Sequence, residues 1–162
     1  MNRRFTRKAV PEDAAVIAEI YNQGMEDRTA TFETKWRSPE DILVWFEQGY
    51  PIFVAGEDET IKAYAIAFPY RERGCYDGVR EFSVYAAREG RGRGFGKAAV
   101  IGLIEEAKAR GWWKLLSRIF PENVASRRLC ASLGFREVGI YEKHGRLDGK
   151  WMDTVIVEKL LI

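Results

Sequence analysis

The stretch Arg91-Gly92-Arg93-Gly94-Phe95-Gly96 has the residue types needed to hold an anion. Before it, Phe82-Ser83-Val84-Tyr85 reads as a strand. After it, Lys97 to Arg110 carries Ala98, Ile101, Ile104 and Lys108 at helical intervals. Glycines lack a Cβ and let a bound group approach the backbone, and the first N–H groups of a helix have no internal partner, so they point beyond its end. The positive end of the helix dipole and the nearby Arg88, Arg91, Arg93 and Lys97 favour a phosphate or pyrophosphate. A magnesium-nucleotide loop is excluded, because Ala98 follows Gly96-Lys97 where that loop requires a Ser or Thr hydroxyl. A dinucleotide fingerprint also fits poorly, since the next strand, Lys114 to Ile119, carries no acid. A plain tight turn with solvated arginines stays open on this stretch alone.

The carboxylate of Glu81 is the second candidate group. Side chains alternate along a strand, so Glu81, Ser83 and Tyr85 share one face and Phe82, Val84 and Ala86 the other. A carboxylate on a central strand is costly unless it is paired or used. It pairs with neighbouring Arg80, or stays exposed, or serves as a general base that takes the proton preventing an alkyl amine from attacking near neutral pH. Cys75 is a conceivable nucleophile, but the sequence arranges no base or charge to activate it beyond the single His144. Cys130 falls in a helical apolar pattern and reads as core. Two distant cysteines and one histidine predict no metal site.

Periodicity outlines the elements that must position these groups. Phe5 to Lys8 reads as a strand, and Pro11 opens a helix with Ala14, Ile17, Ala18 and Tyr21 on one face. Gln23 to Trp36 shows no clean period, which makes Thr29 to Thr34 an ordered loop. Ser38-Pro39-Glu40-Asp41 is a capped helix start, and Gly49 is placed to end that helix. Ile52 to Ala55 and Ile61 to Phe68 form a hairpin across Glu57-Asp58-Glu59. Tyr70 to Gly78 is a polar connection, and Val79 to Ala86 is the next strand. Past the glycine turn and its helix, Lys114 to Ile119 is a strand. Asn123 and Ser126 suit a helix start, with Leu129, Cys130 and Leu133 facing inward and Gly134 as the stop. Phe135 to Glu142 and Trp151 to Leu160 are the last strands, with Asp148-Gly149 as a turn signal between them.

A chain of 162 residues suits one domain, residues 1–162, and a chain of this size buries about 70% of its unfolded surface. Hydrophobic residues at 46% and aromatics at 13% argue for a packed core, and a net charge of +2 is too small to make nucleic acid the default partner. The basic start, Met1-Asn2-Arg3-Arg4-Phe5, lacks the apolar core and cleavage site of a leader. No run approaches the roughly 18 apolar residues of a membrane span. The expectation is a soluble, cytoplasmic protein with no membrane partner.

Arg91 to Gly96 also fits Arg/Gln-x-x-Gly-x-Gly/Ala, and the surrounding chain extends the match. Glu81 to Tyr85 looks like the strand before that turn. Asn123-Val124-Ala125-Ser126 followed by Leu133-Gly134-Phe135 looks like a second coenzyme motif, and Thr29-Ala30-Thr31-Phe32-Glu33-Thr34 like an N-terminal signature. The chain resembles the GCN5-related N-acetyltransferase (GNAT) superfamily, in its phosphinothricin and arsinothricin branch. The resemblance implies an α/β fold, a mixed and mostly antiparallel sheet flanked by helices, and metal-free acetyl transfer from acetyl-CoA to a small-molecule amine acceptor. It implies Glu81 as the base and a strand N–H around Val84 and Tyr85 as the oxyanion donor. Coenzyme contacts fall on Val84, Tyr85, Ala86, Arg91, Gly92, Arg93, Gly94, Phe95, Gly96, Lys97, Asn123 and Ser126. Arg71, Arg73 and Tyr76 look like the branch's acceptor loop, with Phe32 and Glu33 closing the pocket across a homodimer interface as in relatives. The sequence departs from the branch at Arg80, beside Glu81, and at Asp148 within the terminal Gly145, Gly149, Trp151, Asp153 pattern.

Overall fold

The computed structural model describes residues 2–162. Its sheet grows from a hairpin of β2 (Ile52–Glu57) and β3 (Thr60–Pro69). Asp58 and Glu59 make the turn, both at positive φ (49° and 67°), as a two-residue hairpin loop requires. Glu57, expected in the turn, belongs to the strand and is buried. Strand β1 (Arg4–Lys8) adds antiparallel to β2, and β4 (Val79–Ala86) antiparallel to β3. Strand β5 (Lys114–Ile119) runs parallel to β4, and the connection such a pair needs is the helix α3 (Phe95–Ala109). Strand β7 (Lys150–Leu160) pairs with β5, and β6 (Arg136–Leu147) is the outer strand. The order is β1-β2-β3-β4-β5-β7-β6, mixed and mostly antiparallel.

Two apolar clusters lie on opposite faces of this sheet. Helices α1 (Ala14–Glu26) and α2 (Pro39–Glu47) belong to one, where Ile17, Ile20, Tyr21 and Ile42 meet Val54, Tyr64 and Ile66. Helices α3 and α4 (Val124–Ser132) belong to the other, around Phe82, Phe95, Val100, Leu103 and Leu115. Alternation on β4 holds as expected, with Val84 and Ala86 packed against the second cluster and Tyr85 against the first. The Ser38 hydroxyl accepts the Asp41 N–H at 3.2 Å while Asp41 accepts the Ser38 N–H at 2.8 Å, the reciprocal cap expected for α2.

Other boundaries also differ from expectation: Pro11–Asp13 form a 3-10 turn before α1 begins at Ala14. Helix α1 continues past Gln23 to Glu26, which the apolar period does not show because the buried face turns polar and small there: Asn22 brackets Arg37 through both backbone groups, and Gly24 sits where a Cβ would come within 2.8 Å of the Tyr85 ring. Strand β6 runs to Leu147 through an irregularity at Tyr141 to Gly145, where Lys143 takes a φ of 49° and its N–H donates to Asp153 at 2.7 Å.

The feature that makes a site is a parting of strands. The β4–β5 ladder lasts from Val79/Lys114 to Glu81/Leu116, after which β4 stays with β3 and β5 with β7. The Ser117 hydroxyl donates to the Phe82 carbonyl at 2.8 Å just past the last rung. On the other side of β4 the Ala87 N–H donates to the Lys62 carbonyl at 2.7 Å. Backbone groups alternate along an antiparallel strand, so Phe82, Val84 and Ala86 present theirs to the gap, while Ser83 and Tyr85 face β3. Val84 thus has a backbone N–H and C=O with no strand partner on that edge. Ser117→Ala should strand the buried Phe82 carbonyl and lower unfolding stability by about 1–3 kcal/mol. Chemical denaturation checks this, and an unchanged midpoint would show that the hydroxyl is not what finishes the ladder.

Candidate active site

A cavity of about 660 Å³ opens where β4 leaves β5. Its lining takes Val84, Tyr85 and Ala86 from the strand, Arg91, Gly92, Gly94, Phe95, Gly96 and Lys97 from the turn and α3, and Asn123 and Ser126 from the start of α4. These residues, scattered in the sequence and expected to act on one ligand, are brought together. A second, smaller space continues the gap between Phe82, Ser83 and Ser117, Arg118.

The turn is built for close approach. Gly92 and Gly94 have φ of 75° and 88°, left-handed values that a side chain would strain. Gly94 caps α3 without a side chain, and the first α3 donor to find a carbonyl is Ala98, bonded to Gly94 at 3.1 Å. The N–H groups of Phe95, Gly96 and Lys97 therefore have no partner inside the helix, at the positive end of its dipole. A Cβ at Gly96 would lie 3.3 Å from Val84 and 3.4 Å from Leu129, so the helix start is pressed against both walls of the cavity.

The arginines behave differently from expectation. Arg91 pairs with Asp27 at 2.7 Å and donates from Nε to the Ala86 carbonyl at 3.3 Å. Arg88 bonds Glu26 at 2.7 Å and Asp27 at 3.0 Å, and its N–H donates to Gln23 at 2.9 Å. Arg93 turns away from the cavity to Glu57, stacks on Phe95, and accepts the Arg4 guanidinium on its carbonyl at 2.6 Å. Each of the three arginines expected to attract an anion is thus matched by a carboxylate and fixes the turn to α1 or β2. Hydrogen bonds from Arg88, then from Arg91, hold the Asp27 carboxyl below the usual carboxylate range, and Asp27 with Glu26 pushes Arg88 up.

Glu81 stands on the last rung of the β4–β5 ladder. Its carboxylate pairs with Arg118 of β5 at 2.6 Å, not with Arg80, and Arg118 borders the smaller space. Arg80 donates to the Asp77 carbonyl at 3.0 Å and lies over the Trp112 ring at 4.2 Å. The residues expected to bind the acceptor are not part of the main cavity's lining. Phe32 packs edge-on against Phe120 at 4.9 Å and beneath Gly145, and the Glu33 N–H donates to the Thr31 hydroxyl at 3.0 Å. Arg71 lies over the Tyr70 ring at 4.9 Å, Tyr70 meets Tyr76 edge-on at 5.6 Å, and Arg73 precedes the short 3-10 turn Gly74–Tyr76. Cys130 is buried, which pushes its thiol up to about 12 and makes it inert, while Cys75 is exposed. Among the described residues no cluster of His, Cys, Asp or Glu could hold a metal ion, and no helix is long and apolar enough to cross a membrane.

The loop after α1 is present as expected, but its first residues have a place in the site that residue type and spacing do not reveal. Thr29 and Ala30 line the cavity, the Asn123 side chain donates to the Thr29 carbonyl at 3.2 Å, and Arg28 bonds Asp148 at 2.7 Å. Asp148, the departure in the terminal pattern, thus ties the β6–β7 turn to this loop. Its 120-residue separation from Arg28 left no local signal.

The model of the Acetyltransferase (GNAT) family matches residues 17–135. The chain belongs to the GNAT acetyltransferases. It is 33% identical to an L-amino acid N-acyltransferase of Escherichia coli over 98% of this chain and 92% of that one. It is also 33% identical to a phosphinothricin N-acetyltransferase of Streptomyces coelicolor, over 96% and 95% of the two chains. A Salmonella typhimurium structure solved with its cofactor acetyl-CoA superposes with a TM-score of 0.93 at 29% identity, covering 98% of this chain and 94% of that one. The protein is an acetyl-CoA-dependent N-acetyltransferase of the GNAT fold.

Asp27 gives a pH prediction. Its folded carboxyl titrates below the unfolded value, so its contribution is complete above about pH 4 and is lost as pH falls further. The stability gap between the parent and Asp27→Asn should be constant from neutral pH to about 5 and close in more acidic solution. Urea midpoints across that range check this, and a gap that persists at the acid end would remove the ion pairs as the turn's anchor.

Proposed function

We propose that the enzyme, acting as one domain over residues 1–162, moves the acetyl group of acetyl-CoA directly to the amine of a small anionic amino acid analogue. The acceptor is of the phosphinothricin, arsinothricin or methionine sulfoximine type, and acetylation confers resistance to it. Acetyl-CoA supplies an acetyl thioester that an unprotonated amine can attack. The supporting observation is the open edge of β4, with Glu81 on its last paired rung and Val84 carrying an unpartnered N–H.

The roles follow from those positions. The Val84 N–H polarises the thioester carbonyl, which sharpens the expected donor from the Val84–Tyr85 neighbourhood to Val84, because Tyr85 faces β3. The N–H groups of Phe95, Gly96 and Lys97 bind the pyrophosphate, and Gly92 and Gly94 let it reach the backbone. Val84 and Ala86 flank the pantetheine arm, with Asn123 and Ser126 at its other side. Glu81, oriented by Arg118, takes the amine's proton directly or through water.

Arg71 and Arg73 receive the acceptor's anionic groups. Tyrosines rather than carboxylates surround Arg71, which leaves its guanidinium fork for a carboxylate or phosphinate. Phe32, Glu33 and Tyr76 complete that pocket in a homodimer joined along β6, whose Val138, Ile140 and Tyr141 are exposed, as is Trp151 of β7 opposite Arg146. The setting is the cytoplasm, with free acceptor and no nucleic acid or membrane partner.

The relatives' names favour this acceptor class. A panel of amino acid analogues assayed for thiol release should turn over fastest with phosphinothricin-like acceptors, and Arg73→Ala should raise their KM about ten- to a hundredfold with coenzyme affinity intact. Preference for an uncharged amine or a peptide amine, or an unaltered KM in that variant, reopens the acceptor. No thiol release with any amine would leave a coenzyme-binding module.

Glu81→Gln keeps the side chain's size but cannot take a proton. Its kcat should fall about a hundredfold or more, and the residual rate should climb with pH toward the amine's own pKa while the parent levels off earlier. A variant that melts lower but keeps the parent's pH profile would make Glu81 only the partner of Arg118.

A further inference from the structure

Given the coenzyme role proposed above, the distribution of paired and unpaired cations divides the site further. Acetyl-CoA carries, besides its pyrophosphate, a 3′-phosphomonoester of about −1.5 to −2 charge at neutral pH. Arg91, a cation of the cavity lining, is matched by Asp27, and the adjoining Arg88 and Arg93 are matched by Glu26, Asp27 and Glu57. Arg4 lies beside the turn, but its guanidinium bonds the Arg93 carbonyl at 2.6 Å and stacks on Phe95 at 4.5 Å. Lys97 and Arg128 are different: both line the cavity, both are exposed, and among the described residues neither has a carboxylate partner. The neighbour of Arg128 on α4, Arg127, is by contrast paired with Glu137 at 2.8 Å.

These two cations border one rim. Gly96 of α3 would place a Cβ 3.4 Å from Leu129 of α4, and Lys97 and Arg128 each stand one residue from that contact. Lys97 belongs to the first turn of α3, beside the N–H groups given to the pyrophosphate. Arg128 lies across the mouth, in the middle of α4. Ser132, one helical turn further along, lines the same wall, and its hydroxyl donates to the Leu129 carbonyl at 2.7 Å, which leaves its oxygen free to accept. Glu122, the one carboxylate of the lining, lies before Asn123 and pairs with neither cation.

We infer that Arg128 receives the 3′-phosphate of acetyl-CoA and makes the enzyme prefer coenzyme A to its 3′-dephospho form, while Lys97 serves the pyrophosphate common to both. A planar guanidinium matches a terminal phosphate with paired hydrogen bonds, whereas an ammonium beside the helix start acts as a point charge on either form.

Calorimetric titration of the intact protein with coenzyme A and with 3′-dephospho-coenzyme A tests the assignment. The parent should bind coenzyme A about tenfold or more tighter. Arg128→Gln should lose that preference by weakening coenzyme A alone, and Lys97→Gln should weaken both forms by a similar factor. Arg128 is exposed and unpaired, so its variant should melt as the parent does. A parent without preference, a preference that survives Arg128→Gln, or one that disappears instead in Lys97→Gln overturns the inference and leaves the proposed function standing. Failure of both forms to bind the parent removes that function, and the inference with it.

Discussion

The ladder between β4 and β5 stops at Glu81 and Leu116, and the site depends on that stop. A parallel pair continued to its end would have used the backbone groups of Val84 and Ala86 on neighbouring strand atoms. Instead β4 remains paired with β3 as far as Ala86, β5 remains paired with β7 as far as Ile119, and the two halves of the sheet diverge. The Ser117 hydroxyl satisfies the Phe82 carbonyl at the apex, and the contact of Phe82 with Phe135, 5.2 Å between centroids, fills the apolar side beneath it. Buried backbone groups are expensive to leave unmade, so a gap lined by them exists only where a ligand or solvent reaches it. That constraint places the glycine turn, the first turn of α3 and the start of α4 around one opening.

Charge is arranged around the opening in an unexpected way. Asp27, Glu26 and Glu57 neutralise the arginines of the turn, so those side chains hold the turn against α1 and β2 rather than presenting free charge. What faces the opening is then the set of oriented N–H groups at the start of α3, together with Lys97 and Arg128 of the lining, which have no carboxylate partner among the described residues. Apart from the buried Glu57, the groups in these ion pairs are partly exposed, and such pairs are individually weak. Their value is geometric, because they fix the φ > 0 glycines in the one arrangement that leaves the backbone bare.

Much of this was legible in the sequence because it is encoded locally. The strand from Val79 to Ala86, the glycine turn, the capped start at Ser38 and the Asn123 cap, whose side chain accepts the Ser126 N–H at 3.2 Å, all appear where residue type and spacing put them. What the sequence did not disclose is pairing between distant residues. Glu81 finds Arg118 rather than its neighbour Arg80, and Asp148 reaches Arg28. The motif arginines find partners on other elements for the same reason. The continuation of α1 was hidden because Asn22 and Gly24 occupy its buried face, one to bond the backbone of Arg37 and the other to admit the Tyr85 ring. Polar and small residues in such positions break the apolar period without breaking the helix.

In the proposed function the Val84 N–H points into the opening and meets the coenzyme there, while the Tyr85 N–H belongs to the β3 ladder. Residue-resolved amide hydrogen exchange measures this directly. In the free protein Val84 should exchange quickly and Tyr85 slowly, and saturating acetyl-CoA should slow Val84 markedly with little effect on Tyr85. A Val84 amide already protected without coenzyme, or one whose exchange acetyl-CoA leaves unchanged, would contradict the account.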